Sequence, residues 1–336
     1  MSMRVLVTRD ELPGSGVERL AAVAEPVLWR GDGAPGPGEL AALAAGADAV
    51  LALGGDPVDA ALLDAAGPSL RVVALASMGY DNVDRAAAAE RGVVLTHTPG
   101  VLAETTADLA FALILAARRR LGPAGASLAG GGWDVFRMHD YLGLDVHGAT
   151  LGLIGYGQIG RAVARRAQGF GMRVLHHDPY STSGDAVSTA TDLDTLLARA
   201  DIVSLHVPLT DATRHLVSTR ELALMKPTAT LISTARGGVV DEDALLRAVR
   251  EGRLHSAGLD VHEREPMGAE PSPLAAEEAV VTLPHIGSAT HATRAAMVDL
   301  AVDNILDVLA GLPARTAVPG TSAVPATPRI PRAGAH

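Results

Sequence analysis

The sequence predicts an α/β chain of two doubly wound parallel sheets, each in its own domain, with the second domain inserted into the first. Three observations predict it. Short β-rich apolar runs alternate with Ala-rich helical stretches, the pattern of parallel strands joined by crossover helices. The alternation comes as two series, one over the first hundred or so residues and one from Leu151 onward. The second series opens on LGLIGYGQIGRAVARRAQGFGMRVLHHDPY (151–180), a strand, turn, helix and strand of the kind that normally begins a domain.

In the first series the predicted strands are RVLV (4–7), PVLW (26–29), AVLAL (49–53), RVVALA (71–76) and GVVLT (92–96). Helices fit between them at Gly38–Ala45, Val58–Ala65 and Val83–Arg91. Thr98-Pro99-Gly100 interrupts the pattern, and ETTADLAFALILAARRR (104–120) follows as a long helix with cations in its last turn. A Gly-rich stretch (Gly122 to Gly132) and a loop with Trp133, Phe136 and Tyr141 lead to the second series. Its strands are predicted at 150–154, 173–177, 201–207, 229–235, 256–261 and 280–284, and a last long helix at 288–311. Residues 1–98 and 288–318 therefore form one domain and 99–287 the inserted one, with a cleft expected between them, where small-molecule sites are preferentially found. The Pro/Ala/Thr-rich residues 319–336 are expected to be a mobile tail.

Composition narrows the function. The 336 residues are 48% hydrophobic and 20% charged, an ordinary globular balance, with only 3% aromatics, so aliphatic residues must fill the core. The absence of cysteine rules out disulfides, thiolate metal sites and a Cys nucleophile. A net charge of −10 without a basic stripe argues against nucleic acid as a partner. Lys226, the only lysine, stands at a helix end before a proline rather than in a Schiff-base setting. The twelve histidines show no H-x-x-x-H or comparable spacing, so no metal site is expected. The longest apolar run, Leu109 to Ala117, is too short to span a bilayer, and MSMRVLVTRD reads as a strand rather than a signal peptide, which predicts a cytoplasmic protein.

Gly155, Gly157 and Gly160 form G-x-G-x-x-G, a weak pattern alone in a chain with 36 glycines. A preceding strand, a following amphipathic helix and Asp178 at the end of the next strand complete the dinucleotide fingerprint of a Rossmann domain. Gly155 permits the tight turn, Gly157 lets a pyrophosphate approach the helix N-terminus, and Gly160 lets helix and strand pack closely. Asp178 accepts hydrogen bonds from ribose hydroxyls and repels a 2′-phosphate. No Arg follows it, which favours NAD over NADP.

Three further stretches lie just beyond strand ends of the second series: STARGGVVDEDAL (233–245), GLDVHEREP (258–266) and LPHIGSAT (283–290). They offer an Arg, one or two acids and a His. Reduction of a carbonyl by hydride needs those types: a cation to hold an anionic substrate and polarise the carbonyl, an acid to protonate the oxygen, and a carboxylate to orient and support the imidazole.

Together with ASMGYDNVD (76–84) and THTPGVLAETTADLA (96–110), these segments resemble the D-isomer-specific 2-hydroxyacid dehydrogenases over nearly the whole chain, and most of all the glyoxylate/hydroxypyruvate reductase branch. The resemblance implies an NAD-binding Rossmann domain inserted into a flavodoxin-like substrate domain, and interconversion of small 2-oxoacids and D-2-hydroxy acids. It implies Arg236, Glu265 and His285 as the catalytic set and Ser77, Met78 and Gly79, with Arg236, as substrate contacts. The cofactor contacts it implies, beyond Gly155, Gly157, Gly160 and Asp178, are Thr106, Gln158, Ile159, Val207, Pro208, Thr213, Thr234, Ala235, Arg236, Asp260, His285 and Ser288. It also implies a homodimer joined through the nucleotide domain, to which the apolar helix 107–117 and the Trp133–Tyr141 loop contribute surface. Three positions depart from the family pattern: His97 and Ser233 stand where Asn is common, and His262 where Phe or Tyr is usual. Phosphoglycerate and phosphite dehydrogenase types remain open as enzyme readings. A chain ending after the last helix is expected to lack the regulatory domain of longer phosphoglycerate dehydrogenases. An NAD-sensing scaffold like the corepressor branch is the reading of another class.

Overall fold

The structure, a computed structural model, describes residues 2–321. It divides into two compact units, one of residues up to Leu102 together with those from Ala289 onward, the other Ala103–Ser288.

The first unit is built on five parallel strands, β1 (Arg4–Val7), β2 (Glu25–Leu28), β3 (Ala49–Ala52), β4 (Val72–Leu75) and β5 (Val94–Thr96), in the order β2-β1-β3-β4-β5. The strands are apolar at nearly every position because both faces are covered. Leu6 packs into the core on one side of the sheet, while Val5 and Val7 pack into the core on the other. The helix His291–Leu309 supplies Val298, Ala301, Val302, Ile305 and Val308 to the second of these cores, so a segment from the far end of the chain completes this unit. The helix Gly16–Ala21, which the strand pattern does not mark, lies against the same core through Leu20.

The second unit carries β6 (Thr150–Ile154), β7 (Arg173–His177), β8 (Ser188–Ala190), β9 (Ile202–Leu205), β10 (Thr230–Ser233), β11 (Ser256–Leu259) and β12 (Val280–Thr282). Their order is β12-β11-β10-β9-β6-β7-β8, and every pairing is parallel. All seven strands therefore end at one edge, and the order reverses direction between β6 and β9, where open α/β sheets bind ligands. The helix Ala103–Arg118 packs its buried Ala107, Ala110, Phe111 and Ile114 under the sheet. Several crossover helices start on an aspartate whose carboxylate takes a first-turn N–H, as at Asp192 and Asp241; each such cap contributes about 0.5–2 kcal/mol.

Two features of this unit depart from the sequence expectations. The short edge strand β8 is additional. The Gly-rich stretch after residue 120 is not a loop throughout, because Leu121–Ala129 is a helix. Its Pro123 falls in the first turn, where a missing N–H costs no intrahelical bond. The helix has no buried residue. No helix among the described residues is long and apolar enough to cross a membrane. Of the expected mobile tail, residues 322–336 lie outside the described residues; Thr321 donates its backbone N–H to Val318 O at 3.2 Å.

Candidate active site

Sterics dictate the turn after β6. Gly155 has φ +94°, and a Cβ there would stand 2.6 Å from His206 O; at Gly160 it would stand 2.3 Å from Gly155 O. Only glycine fits either position. At Gly157 an added Cβ meets nothing within 4 Å, so the space in front of the helix Gln158–Gly169 is open. The first N–H groups of that helix, from Gln158 and Ile159, have no intrahelical partner. An anion fits there, held by those donors and by the helix dipole.

Asp178, one residue past β7, braces the turn. Its Oδ2 accepts from Tyr156 N at 2.7 Å and its Oδ1 from Tyr180 N at 2.8 Å. Each oxygen retains a lone pair for a ribose hydroxyl. Tyr156, which the motif leaves unspecified, stacks on His176 (centroids 4.0 Å apart), lies under the Arg161 guanidinium and donates to Asp185 Oδ2 at 2.9 Å. Burial, then the Asp185 carboxylate, pushes its hydroxyl up to about 12. His176 is thus a packed histidine, with Nδ1 2.8 Å from Ser188 Oγ. No local pattern marks Asp185 in the sequence.

Val207 and Pro208 follow β9, and Thr213 Oγ1 donates to Pro208 O at 2.6 Å, closing that loop on itself. Thr234 and Ala235, both 7% exposed, follow β10, and Thr234 Oγ1 stands 3.4 Å from His206 Nδ1. Burial lowers that imidazole to about 4, so His206 is neutral at physiological pH. Arg236 comes next, half-buried and extended, with Nη1 donating to Ala235 O at 2.9 Å.

The loops after β11 and β12 interlock. Asp260, 1% exposed, accepts from Ile286 N (2.7 Å) and Gly287 N (2.8 Å), while its own carbonyl accepts from His285 N (2.9 Å). Burial is the larger influence on its carboxyl and holds it above the ordinary range despite those two donors. Thr106 Oγ1 donates to Gly287 O at 3.2 Å, and Ser288 ends the unit. His285 therefore stands at a fixed backbone position, with φ +53°. Its Nδ1 lies 2.7 Å from Glu265 Oε2, and Glu265 Oε1 accepts from His262 N at 2.6 Å. Burial opposes ionisation of Glu265, but the His285 hydrogen bond and charge outweigh it and hold the carboxyl below its ordinary value. The two side chains remain accessible, 46% exposed for His285 and 32% for Glu265.

In the first unit, Ser77 Oγ donates to Gly79 O at 2.7 Å and His97 Nδ1 bonds Met78 O at 2.8 Å, so the 77–79 turn is braced from both ends. This gives His97 a role as donor to that turn. Ser233 Oγ is buried with no hydrogen-bond partner among the described residues. Among the described residues no cluster of His, Asp or Glu could hold a metal ion.

A parallel sheet with a glycine turn at its switch point and an acid–imidazole pair at the same edge defines a dinucleotide-dependent oxidoreductase. Residues 111–287 match the family described as D-isomer specific 2-hydroxyacid dehydrogenase, NAD binding domain, and the chain belongs to that family. It is 44% identical over 310 residues to a glyoxylate reductase of Korarchaeum cryptofilum, covering 91% of this chain and 92% of that one. Its fold is similar to that of a Thermus thermophilus protein (TM-score 0.89, 45% identity, 94% of this chain and 100% of that one). It is also similar to the NADPH-dependent glyoxylate/hydroxypyruvate reductase SmGhrB of Sinorhizobium meliloti, solved with NADP and malonate (TM-score 0.84, 34% identity, 97% and 99%). The chain is an oxidoreductase acting on 2-oxoacids.

Proposed function

We propose that this enzyme reduces glyoxylate, hydroxypyruvate and similarly small 2-oxoacids to D-2-hydroxy acids with NADH, and runs the reverse reaction on the hydroxy acids. The observation that carries the reading is the 2.7 Å contact between Glu265 and His285 Nδ1 at the ligand edge of the sheet. With Nδ1 committed to the carboxylate, Nε2 is the nitrogen that hands a proton to the substrate oxygen. NADH, held by the Gly155–Gly160 turn and Asp178, would supply the hydride for the keto carbon. Glu265 orients the imidazole and supports its charge. Arg236 holds the substrate carboxylate and polarises the carbonyl; the Ser77–Gly79 turn of the first unit, by family resemblance, offers N–H donors of the kind a carboxylate takes. Asp178 supports the choice of NADH, since its carboxylate suits ribose hydroxyls and repels a 2′-phosphate; the NADPH dependence of SmGhrB marks this as the point to measure. Initial rates for a panel of 2-oxoacids with each cofactor test the reading. Turnover of glyoxylate or hydroxypyruvate with NADH above NADPH supports it, preference for NADPH removes the Asp178 argument, and cofactor binding without turnover removes the enzyme assignment of these residues.

The same unit bears the surface on which we place a second copy. Leu121, Leu128, Trp133, Val135, Phe136, Met138 and Leu142 are each at least 50% exposed within one short stretch, more apolar surface than a monomer leaves in water. Sedimentation at micromolar concentration should give twice the 34.4 kDa chain mass, and a monomer would overturn the pairing.

A further inference from the structure

His262 stands where the family pattern has an aromatic residue, and both its side chain and its main chain make hydrogen bonds. Its Nε2 donates to Leu283 O at 2.9 Å, two residues before His285. Its backbone N–H donates to Glu265 Oε1 at 2.6 Å. One residue thus touches both catalytic segments, with its side chain on the strand-end loop that leads to His285 and its main chain on the Glu265 carboxylate. Its other nitrogen, Nδ1, is buried without a hydrogen bond and faces Glu242 Oε1 at 3.7 Å. Glu242 is itself fixed at the start of the helix Glu242–Arg250, accepting from Glu263 N at 2.9 Å and from Ser272 Oγ at 3.2 Å. Behind the loop, Gly237 lies so close that a Cβ there would meet His262 O at 1.9 Å, so the backbone of His262 has no room to retreat.

Resting on the function proposed above, we propose that His262 is a titratable positioning residue for the Glu265–His285 pair. Its imidazole ties the loop that carries Glu265 to the loop that carries His285, and protonation of Nδ1 adds a second tie to Glu242. A phenylalanine at this position would fill the space but could make neither bond. The charged groups around His262 are Glu242 from the helix and Glu265 from its own loop, with Glu263 and Arg264 lining the same cleft. Carboxylates are in the majority, and although burial opposes charging of the ring, Glu242, the Leu283 carbonyl and then Glu265 hold it above its ordinary value. By linkage, a raised imidazole contributes fully below its unfolded value of 6.5, and that contribution is lost as pH rises through the higher folded value. The tie is firmest on the acid side, where reduction also needs its proton.

The test uses the whole enzyme and two variants. His262→Gln keeps a donor near the Nε2 position but cannot titrate, whereas His262→Phe keeps the ring volume and loses the donor. Reduction of the best 2-oxoacid with NADH should show kcat about 3- to 10-fold lower in His262→Phe, the worth of one buried hydrogen bond, with KM for NADH unchanged and partial recovery in His262→Gln. The pH profile of kcat should lose one ionisation in both variants. Imidazole nitrogen shifts of His285, read by NMR without substrate, should show its bond to Glu265 intact in the parent and weakened in His262→Phe. Unchanged His285 shifts with an unchanged pH profile in both variants overturn the proposal. If the parent reduces no 2-oxoacid, the function reading fails by itself, and the His285 shifts still decide the positioning role.

Discussion

The turn after β6 and the loop after β11 stand at the same edge of one sheet, yet different forces hold them. The first is a matter of space: Gly155 and Gly160 are where they are because a Cβ would strike a carbonyl oxygen. The second is a matter of charge and hydrogen bonding. Asp260, Glu265 and His262 accept and donate across gaps of 3 to 27 residues to fix His285. A site set by exclusion tolerates no added atom, whereas a site set by polar bonds tolerates volume but not the loss of a donor or a charge. Substitutions on each side should therefore fail in different ways.

The largest effect is expected on the polar side. His285→Ala removes the general acid proposed above and should lower the reduction rate by about 10²–10⁴ while NADH affinity, measured by fluorescence titration, stays near that of the parent. A variant with near-parental rate would remove His285 from the mechanism. On the steric side the expected loss is of folding. Gly155→Ala forces an L-residue into left-handed backbone, at a cost of about 1–2 kcal/mol before any clash is counted, and Gly160→Ala drives a methyl into Gly155 O. Both should lower the thermal midpoint. Gly157→Ala should leave that midpoint unchanged, since its Cβ meets nothing, and should weaken NADH binding alone. Equal thermal losses at 155 and 157 would erase the distinction between packing and ligand approach.

A smaller effect falls where the two kinds of site meet. Asp178 braces the turn through Tyr156 N and is offered to the ribose, so Asp178→Ala should weaken NADH by about tenfold, the scale of one charge-assisted hydrogen bond, and improve the relative use of NADPH. A parent enzyme that already prefers NADPH would contradict it. The smallest effect is on stability against acid. Glu265 titrates below its ordinary 4.5, so its contribution is present above 4.5 and is lost as pH falls through the lower folded value. Urea midpoints of the parent and Glu265→Gln should differ by a constant amount above that pH and converge below it. A difference that persists in acid would mean that the carboxylate charge contributes nothing to the fold.

The same contrast explains what was legible beforehand. The glycine turn and Asp178 are local, with fixed spacing and a steric reason, so they can be read from residues 151–180 alone. Among the described residues, the alternation of apolar runs exposes eleven of the twelve strands; β8 escapes because three residues, Ser188–Ala190, at a sheet edge carry no periodic signal. The helix Leu121–Ala129 escapes because Gly122, Pro123 and Gly125 weigh against it and it buries nothing that would show as a stripe. Glu265 and His285 lie 20 residues apart in the chain, and nothing local in either segment says that they touch. Their pairing came from family resemblance, and only the geometry supplies the contact. His262 shows the limit of that route, because a family pattern records an aromatic there and is silent on what an imidazole does instead.

The backbone of His285 is itself uncomfortable. Among the described residues only four other than glycine have positive φ, and His285, at +53°, is one of them. Glycine or asparagine would sit there with less strain, by about 1 kcal/mol in the case of glycine. What the imidazole gains in return is its 2.7 Å bond to Glu265, so backbone strain and side-chain pairing stand against each other at one residue. On the function proposed above, exchange of His285 for glycine or asparagine should ease the backbone and end reduction together, so that stability and activity move in opposite directions at this one position.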